Sequence, residues 1–298
     1  MKVNEGDIVV SSAEELKNAV NNAPEGTTVF VSAGEYVMDS SLDVTKSLQI
    51  IGAGAKETVL NFNNHQGIMV RADLNSLYVG GVKLVGNGDG TEAGANTSIG
   101  TFNQPYSVGK LIVNDCVIEG FDYGVYFGFD QGITKKATAS VDIIGTTVQN
   151  CLIKAMYFEY LTGSTIANCK ILNNGNDPDA VASNFTDWVC GIDINLKNGE
   201  YKDISVTGCE FTGNGANNGG ALMIKARGTG NDGSYVNNPA TLDGVIISGC
   251  TFSGNNKDIV LGEVGKENES PTNVTIDCGT QDADYKLEDN RADSAKNS

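Results

Sequence analysis

The chain has 298 residues, with 37 acidic against 20 basic side chains, a formal charge of −17, and 40% hydrophobic residues. That balance excludes nucleic acid and an anionic membrane surface as partners, because both demand a basic patch; it leaves acidic polysaccharides open, since local Lys/Arg or a bridging divalent cation can hold them. A single histidine, His65, excludes multi-histidine metal sites and two-histidine mechanisms, and no apolar run reaches the ~18 residues of a membrane helix.

The N-terminal stretch MKVNEGDIVV lacks the apolar core of an export leader. Residues 1–24 read as a strand followed by one short helix, Ser12–Asn22, with Ser12 as N-cap and Glu15 closing a capping box. IIGAGAKE (50–57) has neither the third glycine nor the following helix of a dinucleotide loop, and GNGDG (86–90) occurs once; both read as turns. From residue 25 onward the pattern is short strands of period two, separated by Gly/Asn turns.

Those strands repeat. VTGCEFTGN (206–214) and ISGCTFSGN (247–255) share one spelling, and the frame around their cysteines extends through the chain. Ile204, Val206, Cys209 and Phe211 correspond to Val245, Ile247, Cys250 and Phe252. Upstream copies are Leu111, Val113, Cys116, Ile118; Val141, Ile143, Thr146, Val148; Ser164, Ile166, Cys169, Ile171; and Leu77, Val79, Val82, Leu84. A second strand follows most copies, at 124–129, 155–160, 191–196, 221–226 and 258–263. Strands this short cannot bury a face alone, but stacked coil on coil they can, with like positions piling into interior ladders and loops bulging outward. The cysteine slot is then one such ladder, occupied by a small apolar side chain. An odd cysteine count, with Val or Thr substituting in the slot, argues against a disulfide framework, and the absence of CxxC pairs argues against zinc. The helix shields the first coil, residues 25–279 form the stack, and 280–298 is a polar tail, disordered or a loose cap.

EGTTVFVSAGEY after a short helix, then LQIIGAG, then coils ending in NCxIxxN-type turns, resembles the pectate-lyase-like superfamily. The resemblance covers roughly Asp7 to Cys278 and implies an all-β, single-chain right-handed parallel β-helix. That fold is shared by polysaccharide lyases, hydrolases, tailspikes and adhesins, so activity does not follow from it.

Aligning Val125, Met156, Ile192, Leu222 and Ile259 stacks the second strands, and outward columns can then be read. One column is Tyr126, Tyr157, Asp193, Met223, Val260; the next is Gly128, Glu159, Asn195, Lys225, Gly262; a third is Asp130, Leu161, Lys197, Arg227, Val264. Glu159, Asp193 and Asn195 should share a patch, with Asp130 at its edge and Lys225 and Arg227 one coil further on. Clustered carboxylates and an amide oxygen suit Ca²⁺, and a nearby Lys or Arg of lowered pKa could take the proton alpha to a uronate carboxylate. The arrangement is similar to that of pectate lyases. By that resemblance Asp130, Glu159 and Asp193 are the expected calcium ligands and Lys225 or Arg227 the base. Tyr126, Tyr157, Asn195 and Trp188 are the expected substrate-binding residues, with Trp188 and Tyr235 offering rings to stack on sugars. The same columns also suit a solvated ladder of alternating charges.

Two functions therefore stand: a carbohydrate-engaging β-helix, most concretely a calcium-assisted lyase on an acidic polysaccharide, or a non-catalytic adhesin, tailspike-like or decoration component of a surface or virion. Both predict a glycan partner and an extracellular or virion-surface location, the sequence leaving open whether a leader was removed, and both permit oligomers.

Overall fold

A computed structural model describes residues 4–90, 95–128, 137–176, 189–227, 239–263 and 270–297. The chain is a right-handed parallel β-helix with three sheets of ten, eight and nine strands, and each full coil gives one strand to each. The coil Val108–Asn114, Val117–Glu119, Tyr123–Phe127 stacks on Ala139–Ile144, Thr147–Gln149, Lys154–Phe158, with every pairing parallel. Apolar alternation sets the register. Leu111 meets Val141 and Val113 meets Ile143, Ile143 meets Ile166, Ile166 meets Val206, and Val206 meets Ile247. A one-residue slip would turn this whole file outward, so the interior specifies its own pairing.

The repeated phrase is one corner of each coil. Between the ten- and eight-stranded sheets the chain turns in two residues, the first in the left-handed region: Gly208 at φ 62° and Gly249 at φ 61°, with Asp115 and Asn168 taking the same conformation at 52° and 54°. The second residue is the cysteine slot. Cys116, Cys169, Cys209 and Cys250 aim their thiols at carbonyls of the preceding coil, those of Val79, Ile143, Ile166 and Val206, at 3.3–3.6 Å. Thr146 does likewise to Val113 at 3.4 Å, which is why threonine substitutes there. All seven cysteines are free and buried. Cys278, outside the sequence frame, nonetheless lies against Cys250 and lengthens the file. The closing asparagine of the phrase forms a second file. Asn174, Asn214 and Asn255 each donate to a carbonyl of the coil before, at 2.7–3.0 Å, and Asn174 and Asn214 bond the next asparagine's Oδ1 at 3.1 Å.

The ends are closed differently. Helix Ala13–Asn22 covers the first coil with Leu16, Ala19 and Val20, and Ser12 Oγ accepts from Glu15 N as expected of the cap. The tail is more ordered than its polarity suggests. Leu287–Asp289 joins the nine-stranded sheet beside Ile259–Leu261, and Tyr285 and Ala295 are buried. Arg291 fastens this end, pairing with Asp289 at 2.8 Å and donating to the carbonyls of Pro271 and Ala295. A few buried groups and one guanidinium thus order a segment with no apolar run.

Candidate functional site

The outward face of the nine-stranded sheet holds the densest charge among the described residues. Its register is the one expected: Val125 pairs with Met156, Met156 with Ile192, Ile192 with Leu222 and Leu222 with Ile259. Alternate residues, Phe127, Phe158, Ile194 and Ile224, fill the core. Tyr157 therefore stands beside Asp193, and Asn195 beside Lys225.

Two linked groups of charges form there. Lys154 Nζ lies 2.7 Å from Asp193 Oδ2, and Lys225 Nζ lies 3.6 Å from Asp193 Oδ1. Lys154 also sits 4.0 Å over the Tyr157 ring, a desolvated cation–π contact. In the second group Glu159 Oε1 pairs with Lys197 and accepts from the Tyr157 hydroxyl at 2.7 Å. Asn195 Nδ2 donates to that hydroxyl at 3.3 Å, while Asn195 Oδ1 accepts from Arg227 Nε at 3.1 Å. Arg227 also pairs with Glu263 at 3.6 Å.

This is no solvated ladder. Asp193 is fully buried, Lys225 is 2% exposed, Glu159 3% and Lys154 4%; the Arg227 side chain, at 17%, is the edge of the cluster nearest solvent. Burial alone would raise the Asp193 carboxyl, but Lys154 and Lys225 outweigh it and hold it below the usual carboxylate value. Burial alone would depress Lys154; Asp193 outweighs that and holds it above the ordinary lysine value. Lys225 goes the other way: burial lowers it, the Lys154 and Arg227 charges add to that, and Asp193 only partly compensates. Two lysines on one carboxylate are thereby pushed apart. Burial and Glu159 hold the Tyr157 hydroxyl well above its usual value. Burial, then Asp193, pushes the Cys190 thiol up to about 12.

The structure thus brings together Glu159, Asp193, Asn195, Lys225, Arg227 and Tyr157, as the columns implied. Tyr126 faces the same side but packs with Tyr123 and Tyr157, its hydroxyl donating to Asn103. Asp130, Trp188 and Tyr235 lie outside the described residues. The expected calcium set is then reduced to Glu159 and Asp193, each already holding an ammonium, and among the described residues no three Asp, Glu, His or Cys side chains gather as a metal site. Paired in this way, Glu159 and Asp193 do not fit calcium. Lys154 was missed for a geometric reason. Two residues before Met156, it should point inward, yet Ala155 and Met156 both pack in the core, so alternation begins only after them. The run of small residues Gly124, Ala155, Gly191 and Ala221 before the apolar column is the available signal: a side chain at Gly124 or Gly191 would come within 2.4 Å of the next coil's carbonyl.

No protein-family model matches the chain, and no curated protein matches it. Among solved structures, a mutant of the PL6 family alginate lyase AlyGC matches 97% of this chain and 41% of its own, at 15% identity and a TM-score of 0.55. The Agl-KA catalytic domain matches 97% of this chain and 54% of its own, at 15% identity and a TM-score of 0.53. The chain therefore spans about two fifths to about half of these structures. At such identities they establish the fold alone, a right-handed parallel β-helix.

Proposed function

We propose that the chain is a carbohydrate-acting β-helix that cleaves an acidic polysaccharide by β-elimination, outside the cell or on a cell or virion surface. The observation that carries this is the buried Lys154–Asp193–Lys225 group with Arg227 beside it. It joins a base of lowered pKa to cations that recognise a carboxylate, in a protein otherwise strongly acidic. Perturbed lysines in dry, charge-coupled sites are candidates for proton transfer.

In this scheme Arg227 receives the uronate carboxylate, its planar guanidinium suited to two-point pairing. Lys225, once deprotonated, takes the proton at the carbon alpha to that carboxylate. The electron pair left behind forms the ring double bond, the glycosidic oxygen departs, and the Lys225 ammonium formed in the first half returns its proton to that oxygen. Lys154 and Asp193 set the charge around Lys225. Tyr157 and Asn195, joined by a hydrogen bond, position the sugar.

Incubation with alginate, polygalacturonate and chondroitin tests this through the ultraviolet absorbance of an unsaturated uronate. Product from one of them, abolished by Lys225→Met, is the expected result; no product from any of them sinks it. A second reading has its own support, because saturated, buried ion pairs across adjacent coils also describe an internal staple. A non-catalytic surface or virion component would form no unsaturated product, and would lose stability but no glycan binding when Asp193 is replaced.

A further inference from the structure

The same sheet face carries an aromatic cluster N-terminal to the cations. Tyr123 and Tyr126 lie 4.8 Å apart between ring centroids, Tyr126 and Tyr157 5.1 Å, and half-buried Phe102 packs on Tyr126 at 5.3 Å. Phe102 follows the strand Thr97–Gly100 and has φ 42°; Asn103, next to it, has φ 58°. Two consecutive non-glycine residues in the left-handed region are uncommon, and for a bulky aromatic that conformation is an outlier. It is held in place, since the Tyr126 hydroxyl donates to Asn103 Oδ1 at 2.7 Å. Strain that the surroundings enforce in this way concentrates at ligand sites.

The strand before Phe102 belongs to the same stack as the charged site. Gly100 pairs with Tyr126, Tyr126 with Tyr157, Tyr157 with Asp193 and Asp193 with Met223. Two residues on from each along the chain stand Phe102, Gly128, Glu159, Asn195 and Lys225; the last three form one rank across successive coils, and Phe102, just past its strand, joins its end through the Tyr126 ring. At Gly128 a side chain would meet the Tyr126 ring at 2.7 Å, so that ring lies over the rank. Four coil steps of ~4.8 Å put Phe102 roughly 19 Å from Lys225. A disaccharide does not bridge that span; a longer chain lying along the coils does.

We propose that Phe102 is a stacking platform for a remote sugar ring of the acidic polysaccharide whose reactive residue lies at Lys225, which makes it the residue that selects chain length. The inference rests on the elimination reading above. A pyranose offers an apolar C–H face to an aromatic ring, while its carboxylates find their charge complement at the Lys154, Lys225 and Arg227 end. Binding gained far from the reacting carbon then favours polymer over fragments.

The test is calorimetric titration of wild type, Phe102→Ala, Phe102→Gly and Phe102→Trp with uronate oligosaccharides cut from alginate and polygalacturonate, from disaccharide upward. Removing the ring should weaken long-chain binding about three- to tenfold, leave the disaccharide unchanged, and be rescued by Trp. Phe102→Gly, which relieves the positive φ, should keep the melting temperature and show the same chain-length loss. Equal loss at every length, or none, overturns the platform while leaving elimination intact. Failure of wild type to bind any length overturns both.

Discussion

Lys154, at the start of its strand, places its ammonium 2.7 Å from the carboxylate of Asp193 on the next coil, although the two residues are 39 positions apart in sequence. Neither is more than 4% exposed. Removing one partner of such a pair leaves the other charge buried and unmatched, which costs about 3–5 kcal/mol. Asp193→Asn should therefore lower the unfolding free energy by that much, read as a lower denaturant midpoint at an unchanged m-value. Adding Lys154→Met should recover part of the loss. If Asp193→Asn costs less than ~1 kcal/mol, the pair is not buried as described.

Acid should expose the same group. The folded Asp193 carboxyl lies below its unfolded value of about 3.9, so its contribution is present above roughly pH 4 and is lost as pH falls through the folded value. In Asp193→Asn that part of the acid sensitivity should disappear. Midpoints measured against pH for both proteins check it, and parallel curves would contradict it.

Lys225 has the opposite sign of effect from Lys154. Its folded value lies below the unfolded one of about 10.4, so protonation burdens the fold at low pH and the burden lifts as pH rises toward 10.4. Lys225→Met should accordingly be more stable than wild type near neutrality, with the advantage fading in alkali. Elimination by wild type should rise with pH, with a midpoint below the ordinary lysine value. A midpoint at or above 10.4 would remove Lys225 as the base.

The asparagine file predicts a second stability effect, away from the charges. Asn214 Nδ2 donates to the Ile171 carbonyl at 2.7 Å and to Asn255 Oδ1 at 3.1 Å, and its Oδ1 accepts from Asn174 N and Nδ2 at 3.1 Å. Asn214→Ala orphans several buried groups at once and should cost about 3 kcal/mol. Asn256, whose amide also bonds two carbonyls but at the exposed rim, should cost less. Equal losses at the two positions would deny the file its role.

Thiol chemistry offers an independent check on the interior. Burial pushes the Cys116 thiol up to about 11 and that of Cys190 to about 12. Native protein should resist iodoacetamide at pH 8 and take up seven labels only once denatured. Rapid native labelling would contradict a closed core.

The coil frame was legible because one interior file repeats in the text. Ile166, Val206 and Ile247 announce themselves by spacing, and their register then carries Asp193 and Lys225 into place without further information. Lys154 was hidden by two successive inward residues, Ala155 and Met156, which break the period-two rule where the strand begins. Burial of the charges was also illegible, because spacing says which way Glu159 points and nothing about what shields it. Phe102 carries no signal at all: its place depends on a left-handed turn that a phenylalanine does not advertise. The tail misled by composition, since Arg291 orders it through hydrogen bonds to carbonyls rather than through apolar contact.

Side-chain NMR of ¹⁵N-labelled lysines, assigned with Lys154→Met, Lys197→Met and Lys225→Met and titrated with a uronate oligosaccharide in chelator, tests the outward charged face most directly. The Lys225 and Lys154 signals should move together and saturate as the glycan binds. If the oligosaccharide binds while all three lysine signals stay where they were, the glycan site is elsewhere and the buried charges only hold the coils together.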